Sequence, residues 1–418
     1  MGAVKRVVII AAKESYRIGE FLGAASLLRI DAVVATDAAP PVSGWRQVRI
    51  DLSDPTGAAM KIATLEPRPD AVLAIDDQGV IVAAEAAAAL GLKHNALEAV
   101  KATRDKLVMR DLLQDAGVSQ PRYRAARPGE VAAKAEELGY PVVVKPRGLS
   151  ASRGVIRIDG PLQALPTEER VRAILTDAGR HPEARLLVEE YIPGAEVALE
   201  GLLVDGDLEV LAIIDKPEPL EGPYFEETLY TTPSRHRPST QQAVTSLAAD
   251  AAAALGLHSG PIHAEIRIPA ESEPVLVEIA ARSIGGLCGR ALTFGLPNES
   301  LEVMILRSAL GLPTIDTSPA RPATGVLMLP IPATGTLTDV EGIEKVLALE
   351  GIDDVQITIP KGRRVVALPE GDRYLGFVFA SGADPATVES TLRKAGNTLT
   401  VAIDGEDIRP PVAAGDPG

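Results

Sequence analysis

The 418-residue chain is short of several things at once. It has a single cysteine, Cys288, and five histidines scattered without the spacing of zinc ligands. That excludes an internal disulfide and a Cys-based zinc site, and it fits a reducing compartment. Aromatic residues make up only 3% of the chain, so few stacking contacts are expected. No stretch approaches the ~20 apolar residues of a membrane span. The start, "MGAVKRVVIIAAKESYR", has basic residues before an apolar run like a signal peptide, but the run turns charged at Lys13 and reads as a buried first strand. A formal net charge of −15 speaks against nucleic acid as a main partner, since phosphate backbones favour basic surfaces. It does not speak against small anionic ligands, which respond to local charge. We expect a cytoplasmic protein with neither a nucleic-acid nor a membrane partner. The turn after the first apolar run, "AAKESYRIGE", lacks GxGxxG, and no Walker A motif occurs anywhere. Both absences count against a dinucleotide dehydrogenase and a P-loop NTPase.

What is present alternates. "RVVIIAA" (6–12) is a continuous apolar run, as a strand buried on both faces of a parallel sheet requires. "GEFLGAASLLRI" has helical spacing, "DAVVATDA" and "PDAVLAIDD" repeat the strand pattern, and "VIVAAEAAAALGL" is an Ala-rich helix. This predicts an open doubly wound sheet. "ATRDKLVMRDLLQDAG" predicts one helix, with Asp105 in its first turns and Gly117 as its stop. Beyond it, "YPVVVKPRGLSASRGVIRI" reads as strand, Gly/Ser-rich loop, strand, and "RLLVEEYIPGAEVALEGLLVDGDLEVLAII" as an antiparallel meander with a DG hairpin. Pro-rich "PTIDTSPARPATG" marks a linker. The expected class is α/β and α+β, multidomain. An N-terminal Rossmann-like domain with its linking helix spans 1–115, a second domain 116–315, and a small α+β module 322–410. The second domain divides into a flap part at 118–195 and a sheet part at 196–315.

Three segments carry candidate chemistry. Lys145 ends the apolar strand "VVVK", where a lysine must snorkel or find an anion, and the following "GLSASRG" (148–154) lets backbone N–H groups approach phosphate. A polyphosphate clamp and a surface hairpin with a snorkelling lysine fit this segment equally, and Lys106 alone reads as a solvated helix lysine. In "LLVEEYIPGAE" the chain leaving the strand offers backbone groups to an adenine edge, with Glu189 accepting from its amino group and Glu196 reaching a ribose; an ordinary strand end with solvated acids is the alternative. In "HAEIRIPAESEPVLVEIAARSIGG" period two puts His263, Glu265 and Arg267 on one face. Glu278 shares a face with Leu276, and with Ala280 and Arg282 if the strand runs that far. Two buried carboxylates repel unless a cation lies between them, and magnesium takes such oxygen ligands. Two edge strands with solvated acids would explain the segment as well.

In combination and order, "TRDKLVMRDLLQDAGVSQP", "VVVKPRGLSASRGV", "VEEYIPGAEVALEG" and "HAEIR…VLVEIAARSIGG" resemble the ATP-grasp superfamily of carboxylate–amine ligases over residues 1–315. "DKPEPLEGPYFEETLYTTPS", the arginine four residues after Glu278, and the module after Arg321 are most similar to the L-amino acid ligase and carnosine synthase-like group. The resemblance implies an ATP-grasp fold, ATP and Mg2+ (or Mn2+) as cofactors, and an amide or peptide bond made through an acylphosphate from amino-acid-like substrates. It implies that Lys106 and Lys145 hold ATP phosphates under a flap comprising Ser150, Ser152, Arg153 and Gly154. Glu189 and the backbone of Ile192 would read adenine, Glu196 the ribose, and Glu265 and Glu278 the metal. Arg282, with backbone N–H groups near Gly285, would stabilise the oxyanion of amide formation. Glu227, Arg235 and His263 are candidates for binding the amino-acid substrates, with an exposed loop equally fitting for Glu227 and Arg235. Homodimerisation rests on the resemblance alone. One departure stands out: many members have asparagine two residues after the second glutamate, and here that position is Ala280. The metal site is then expected to hold fewer protein ligands, water or substrate completing it. A carboxylase-type or purine-pathway ligase is the nearest enzymatic alternative, and a non-catalytic nucleotide-binding regulator the alternative of another class.

Overall fold

A computed structural model of the chain describes residues 4–408 apart from Glu14, 39–44, Glu271, 296–298 and 314–315. The first strands, β1 (Arg6–Ala11), β2 (Asp31–Thr36), β3 (Arg46–Arg49) and β4 (Ala71–Ala74), form a parallel sheet in the order β3-β2-β1-β4. Helices α1 (Ile18–Leu27), α2 (Pro55–Ala63) and α3 (Val80–Ala89) cover it, which is why β1 is apolar on both faces. Asp76 and Asp77 follow β4, at the end of a parallel sheet where ligand sites usually gather.

The single helix expected over 102–117 is two. After α4 (Leu97–Thr103) the chain breaks at Arg104, and α5 (Lys106–Asp115) starts anew with Asp105 as its N-cap. The Asp105 carboxylate accepts from the Leu107 and Val108 N–H groups and pairs with Arg147, and the Lys106 N–H donates to the Arg147 carbonyl. A capping carboxylate satisfies donors that a helix start leaves open, so the acid that reads as first-turn decoration fixes where Lys106 begins.

A flap sheet follows, built from β5 (Tyr123–Ala126), β6 (Val142–Pro146), β7 (Ile156–Ile158) and β8 (Leu186–Glu190) in the order β5-β8-β6-β7, with α6 (Val131–Leu138) and α7 (Ala164–Asp177) packed on it. The expected meander through β8 is corrected here. β8 belongs to the flap, and the chain turns at Pro193–Gly194 into a different sheet with β9 (Ala195–Val204) and β10 (Asp207–Lys216). The β9–β10 hairpin turns at Asp205–Gly206, both at positive φ (54° and 95°), the mirror-image turn that suits strand twist.

The central sheet continues with β11 (Leu229–Thr232), β12 (Ser259–Ile268) and β13 (Val275–Ala280), with α8 (Pro238–Leu255) against its apolar face. A short ladder of β14 (Thr293–Phe294) and β15 (Glu299–Ser300) precedes α9 (Leu301–Ala309). Strands β16 (Ala323–Leu329), β17 (Gly335–Glu341), β18 (Ile352–Ile357), β19 (Arg364–Val365), β20 (Gly376–Gly382), β21 (Thr400–Ile403) and β22 (Glu406–Ile408) complete the fold with α10 (Ile343–Leu347) and α11 (Pro385–Thr398). Three of them extend the central sheet, whose order is β13-β12-β9-β10-β11-β16-β20-β18. The C-terminal segment is therefore continuous with the sheet before it; strands β17, β19, β21 and β22 form its second layer around a shared apolar core.

Candidate active site

The polar face of the central sheet forms the floor of a cleft roofed by the flap. Register fixes what stands beside what. Arg267 of β12 lies opposite Glu196 of β9, and Glu196 opposite Lys216 of β10. One step along, Glu278 of β13 pairs with Glu265, which faces Ala198. The next row runs Ala280, His263, Glu200. Two rows of alternating charge thus flank the carboxylate pair, and Ala198 and Ala280 leave space beside it. Because side chains alternate across a strand, Ala264 and Ile266 point the other way, into the core against α8. A bulge follows Glu265, and β13 ends at Ala280, so Arg282 sits beyond the strand on the loop that leaves it, not on the strand's face.

The ion pairs follow from these rows. Lys216, 4% exposed, donates to Glu196 at 2.7 Å and to Glu227, and lies 3.6 Å from Glu265. Burial opposes its charge, but Glu196, Glu227 and Glu265 together raise it well above the usual lysine value. Arg267 donates to Glu196 at 2.7 Å and to the Ile192 carbonyl at 3.2 Å. His263 bridges Glu200 and Glu265, the latter at 3.4 Å. Burial lowers its basicity, and Glu200 outweighs that and raises it to about 9, so the ring is cationic at neutral pH. Lys106 reaches Glu278 at 2.9 Å and the Leu149 carbonyl at 3.0 Å. On the flap side, Lys145 contacts Glu189 at 2.6 Å, and Arg110 takes the other Glu189 oxygen at 2.6 Å. Burial pushes the Glu189 carboxyl up; Arg110 and then Lys145 overcome this and hold it at about 2. The oxygens of Glu196, Glu227 and Glu265 lie within 4.8 Å of one another, a donor set of the type hard cations take.

The structure brings Lys106, Lys145, Ser150, Ser152, Glu189, Ile192, Glu196, Glu227, His263, Glu265, Glu278 and Arg282 to one cleft. Others stand apart. Arg235 pairs with Asp215 and, at 2.8 Å, with Glu389 of α11, away from the cleft. Arg153 turns outward to Asp177, and the Gly154 N–H donates to the Pro369 carbonyl at 2.9 Å. Gly285 is not in the cleft lining, whereas Gly286, at φ 63°, lines a larger neighbouring cavity that shares Leu149 with the cleft. Glu189 is 1% exposed with both oxygens engaged, so its carboxylate does not stand open to a purine. In the loop over the cleft, Ala151 and Ser152 both adopt left-handed backbone (φ 56° and 54°), a conformation that persists where surrounding structure imposes it and that clusters at ligand-clamping loops.

Sequence reasoning missed Lys216 and Asp77. The first had a signal: "IIDKP" ends an apolar strand in Lys-Pro as "VVVKP" does, and both lysines are buried beside carboxylates. Asp77 had only its position, past the end of β4. It accepts from Arg282 Nη2 at 3.0 Å and from the Ser150 hydroxyl at 2.8 Å, and it forms ion pairs with Arg282 Nε at 2.9 Å and Arg104 at 3.1 Å.

Residues 138–291 match an ATP-grasp domain, and residues 327–404 match the L-amino acid ligase C-terminal domain 2. An alanine–anticapsin ligase of Bacillus subtilis (strain 168) is 31% identical over 233 residues, covering 52% of this chain and 49% of that protein. The chain spans about half the length of the curated alanine–anticapsin ligases it matches. An L-amino acid ligase from Bacillus licheniformis superposes with a TM-score of 0.79 at 25% identity, over 97% of this chain and 100% of that one. N5-carboxyaminoimidazole synthase from Aspergillus clavatus superposes with a TM-score of 0.72 at 18% identity, over 94% and 98% of the two chains, which speaks to the fold alone. Among the described residues no helix is long and apolar enough to cross a membrane. A charged sheet floor under a lysine-bearing flap, with both domain matches in this order, gives the chain an ATP-grasp domain followed by an L-amino acid ligase C-terminal domain.

Proposed function

We propose that the protein is an ATP-dependent carboxylate–amine ligase that joins amino-acid-like substrates through an acylphosphate and releases ADP and phosphate. One observation carries the reading. The Glu265–Glu278 pair sits in register between two rows of charge, with Lys106 on Glu278 and Lys216 3.6 Å from Glu265.

A carboxylate does not condense with an amine at neutral pH, so it must first be phosphorylated. The protein's task is then positioning and charge stabilisation. Every cleft cation named above already has a carboxylate partner, so the ligand-free site is close to neutral. A triphosphate entering it brings excess negative charge, which the carboxylate pair alone would repel. Glu265 and Glu278 fit a divalent cation: both are carboxylates, facing each other with alanines beside them. Bound there, such an ion would neutralise the charge of the phosphates. Lys106, Lys145 and Lys216 turn from their glutamates to the phosphates, and the 150–154 loop excludes water above them. Glu196 is the candidate for the ribose and the Ile192 backbone for adenine. His263 and Glu227 face the substrate side, a cation and an anion suited to a zwitterion. Arg282 stabilises the oxyanion when the amine attacks and phosphate leaves.

The test is phosphate release from ATP with pools of amino acids, followed by mass spectrometry of the product. A product equal in mass to two substrates less water, formed with one phosphate released, supports the reading. Tight ATP binding with no release in any pool would favour a regulatory nucleotide binder, and release that depends on bicarbonate would favour a carboxylase.

A further inference from the structure

Arg282 reaches the cleft already held from behind. A guanidinium has five N–H donors. One Nη2 hydrogen goes to an Asp77 oxygen at 3.0 Å, Nε faces the other Asp77 oxygen at 2.9 Å as an ion pair, and one Nη1 hydrogen goes to the Ser283 carbonyl at 2.9 Å. Two donors, one on each terminal nitrogen, remain for a ligand. A side chain with four rotatable bonds would otherwise sample many orientations on a loop outside any strand. Asp77 comes from the N-terminal sheet, 205 residues away in sequence, and its side chain is only 9% exposed.

The same carboxylate has two further partners. Arg104, at the break between α4 and α5, lies 3.1 Å from one oxygen, and the Ser150 hydroxyl, in the loop over the phosphates, donates to the other at 2.8 Å. Arg104 also donates to Ser150 at 3.3 Å. Burial alone would favour a neutral carboxyl, but Arg282 and Arg104 together keep it ionised, well below the usual aspartate range. Asp77 therefore stands where three parts of the machinery meet: the arginine, the helix that starts with Lys106, and the phosphate loop.

We propose that Asp77 is a positioning residue that aims the free fork of Arg282 at the reacting carboxyl and sets the phosphate loop in register with it. Its catalytic consequence rests on the ligase reading above. With Arg282 loose, acylphosphate still forms, but the amine's attack loses its oyxanion-stabilising partner and water competes for the intermediate. Atoms balance in either outcome: the acyl–oxygen bond to phosphate breaks, and the new bond is to nitrogen in the amide or to oxygen in the regenerated acid.

The experiment uses the full chain, its Asp77→Asn form and its Ser150→Ala form, and reads phosphate released per amide formed. Asp77→Asn, whose amide oxygen can still accept from the Ser150 hydroxyl while its amide nitrogen faces Arg282, should raise this ratio about tenfold or more and leave the KM for ATP within about threefold, the scale expected when a catalytic group is misaimed. Ser150→Ala, which cuts only the loop arm, should raise the KM for ATP with the ratio unchanged. If Asp77→Asn lowers phosphate release and amide in equal proportion, the residue is merely structural and the proposal falls. Should that variant not fold, Asp77→Glu keeps the charge and displaces it by one methylene, and the same ratio decides. A second readout needs no turnover. The Arg282 Nε–H resonance, assigned by its loss in Arg282→Lys, should lie downfield in the native protein and move toward the free-arginine position in Asp77→Asn. An unmoved resonance overturns the positioning claim. A moved resonance in a protein that makes no amide from any pool leaves the positioning intact and removes the ligase reading instead.

Discussion

Arg110→Met isolates the most deeply buried ion pair of the described residues that touches the cleft. The side chains of Arg110 and Glu189 are 1% and 2% exposed, and the arginine also donates to the Val277 carbonyl at 2.6 Å. One side chain of α5 thus ties flap strand β8 to floor strand β13. The cost of removing it can be reached two ways. Breaking one partner out of a buried pair costs about 3–5 kcal/mol, because a charge is left desolvated. Independently, Glu189 is held at about 2 against the usual glutamate value of 4.5, and that gap is worth about 3 kcal/mol in a group this buried. Lys145 shares in it, so Arg110 supplies part of that figure, and the orphaned Val277 carbonyl adds about 1 kcal/mol or more. About 3 kcal/mol is the expected loss at pH 7. The sign with pH follows from linkage. A carboxyl depressed in the folded state contributes stability that is complete above about pH 4.5 and lost as pH falls toward 2. The gap between native protein and variant should therefore be full at pH 7 and shrink below pH 4.5. Urea unfolding followed by circular dichroism at pH 7, 5 and 3.5 measures it. A loss under 1 kcal/mol at pH 7, or one that does not shrink in acid, would refute the buried-pair account.

If Lys216 holds a phosphate as proposed, Lys216→Met should reduce ATP-dependent phosphate release by 100-fold or more, since it removes a preorganised charge and leaves Glu227 without its cationic partner; steady-state rates within tenfold of native would rule the lysine out as a phosphate ligand. Ala280→Asn restores an oxygen donor two residues after Glu278 and should lower the Mg2+ concentration for half-maximal phosphate release a few-fold. A magnesium titration that superposes on the native one would mean the position lies outside the ion's reach. Gly154→Ala forces a residue with φ 73° to carry a side chain against Pro146, 3.2 Å from the nearest ring atom, at a cost of about 1–2 kcal/mol. It should speed limited proteolysis in the 148–155 loop and raise the KM for ATP, and unchanged cleavage kinetics would show that the loop tolerates the strain.

Where the sequence was informative, a local rule was enough. Apolar runs on both faces announce β1 and β2, and the Asp205–Gly206 pair announces its hairpin. Period two placed His263, Glu265 and Arg267 on one face without any structure. What stayed hidden depends on contacts between elements far apart in the chain. Asp105 reads as part of a helix until Arg147 is seen beside it, because a cap and a first-turn acid are the same letter. The turn at Pro193–Gly194 sends β8 and β9 into different sheets, and nothing in "VEEYIPGAEV" distinguishes that from a meander. Arg235 sat near the right segment, yet its partner is on α11, more than 150 residues later. Glu189 shows the limit most clearly: its place in the cleft was legible, but its role was not, since Arg110 is a helix residue whose partner only folding reveals.

The last strands of the chain bear on the site through the same logic of distant contacts. β16, β20 and β18 extend the floor sheet, so the C-terminal segment cannot shift without disturbing β11 and β10, and with them Lys216. The 366–374 stretch then returns to the roof. Glu370 takes Arg170 of α7 at 2.6 Å, and the Pro369 carbonyl accepts the Gly154 N–H. Floor and roof are thus joined at both ends of the cleft, by Arg110 at the α5 end and by the 366–374 stretch at the other. The first joint is dry and strong, whereas the second is built from one backbone bond, the half-exposed Arg170–Glu370 pair worth no more than about 1 kcal/mol, and the looser Arg153–Asp372 pair at 3.6 Å. The two joints thus hold the flap unequally, and the α5 side, where Lys145 and Glu189 sit, is the more tightly tied.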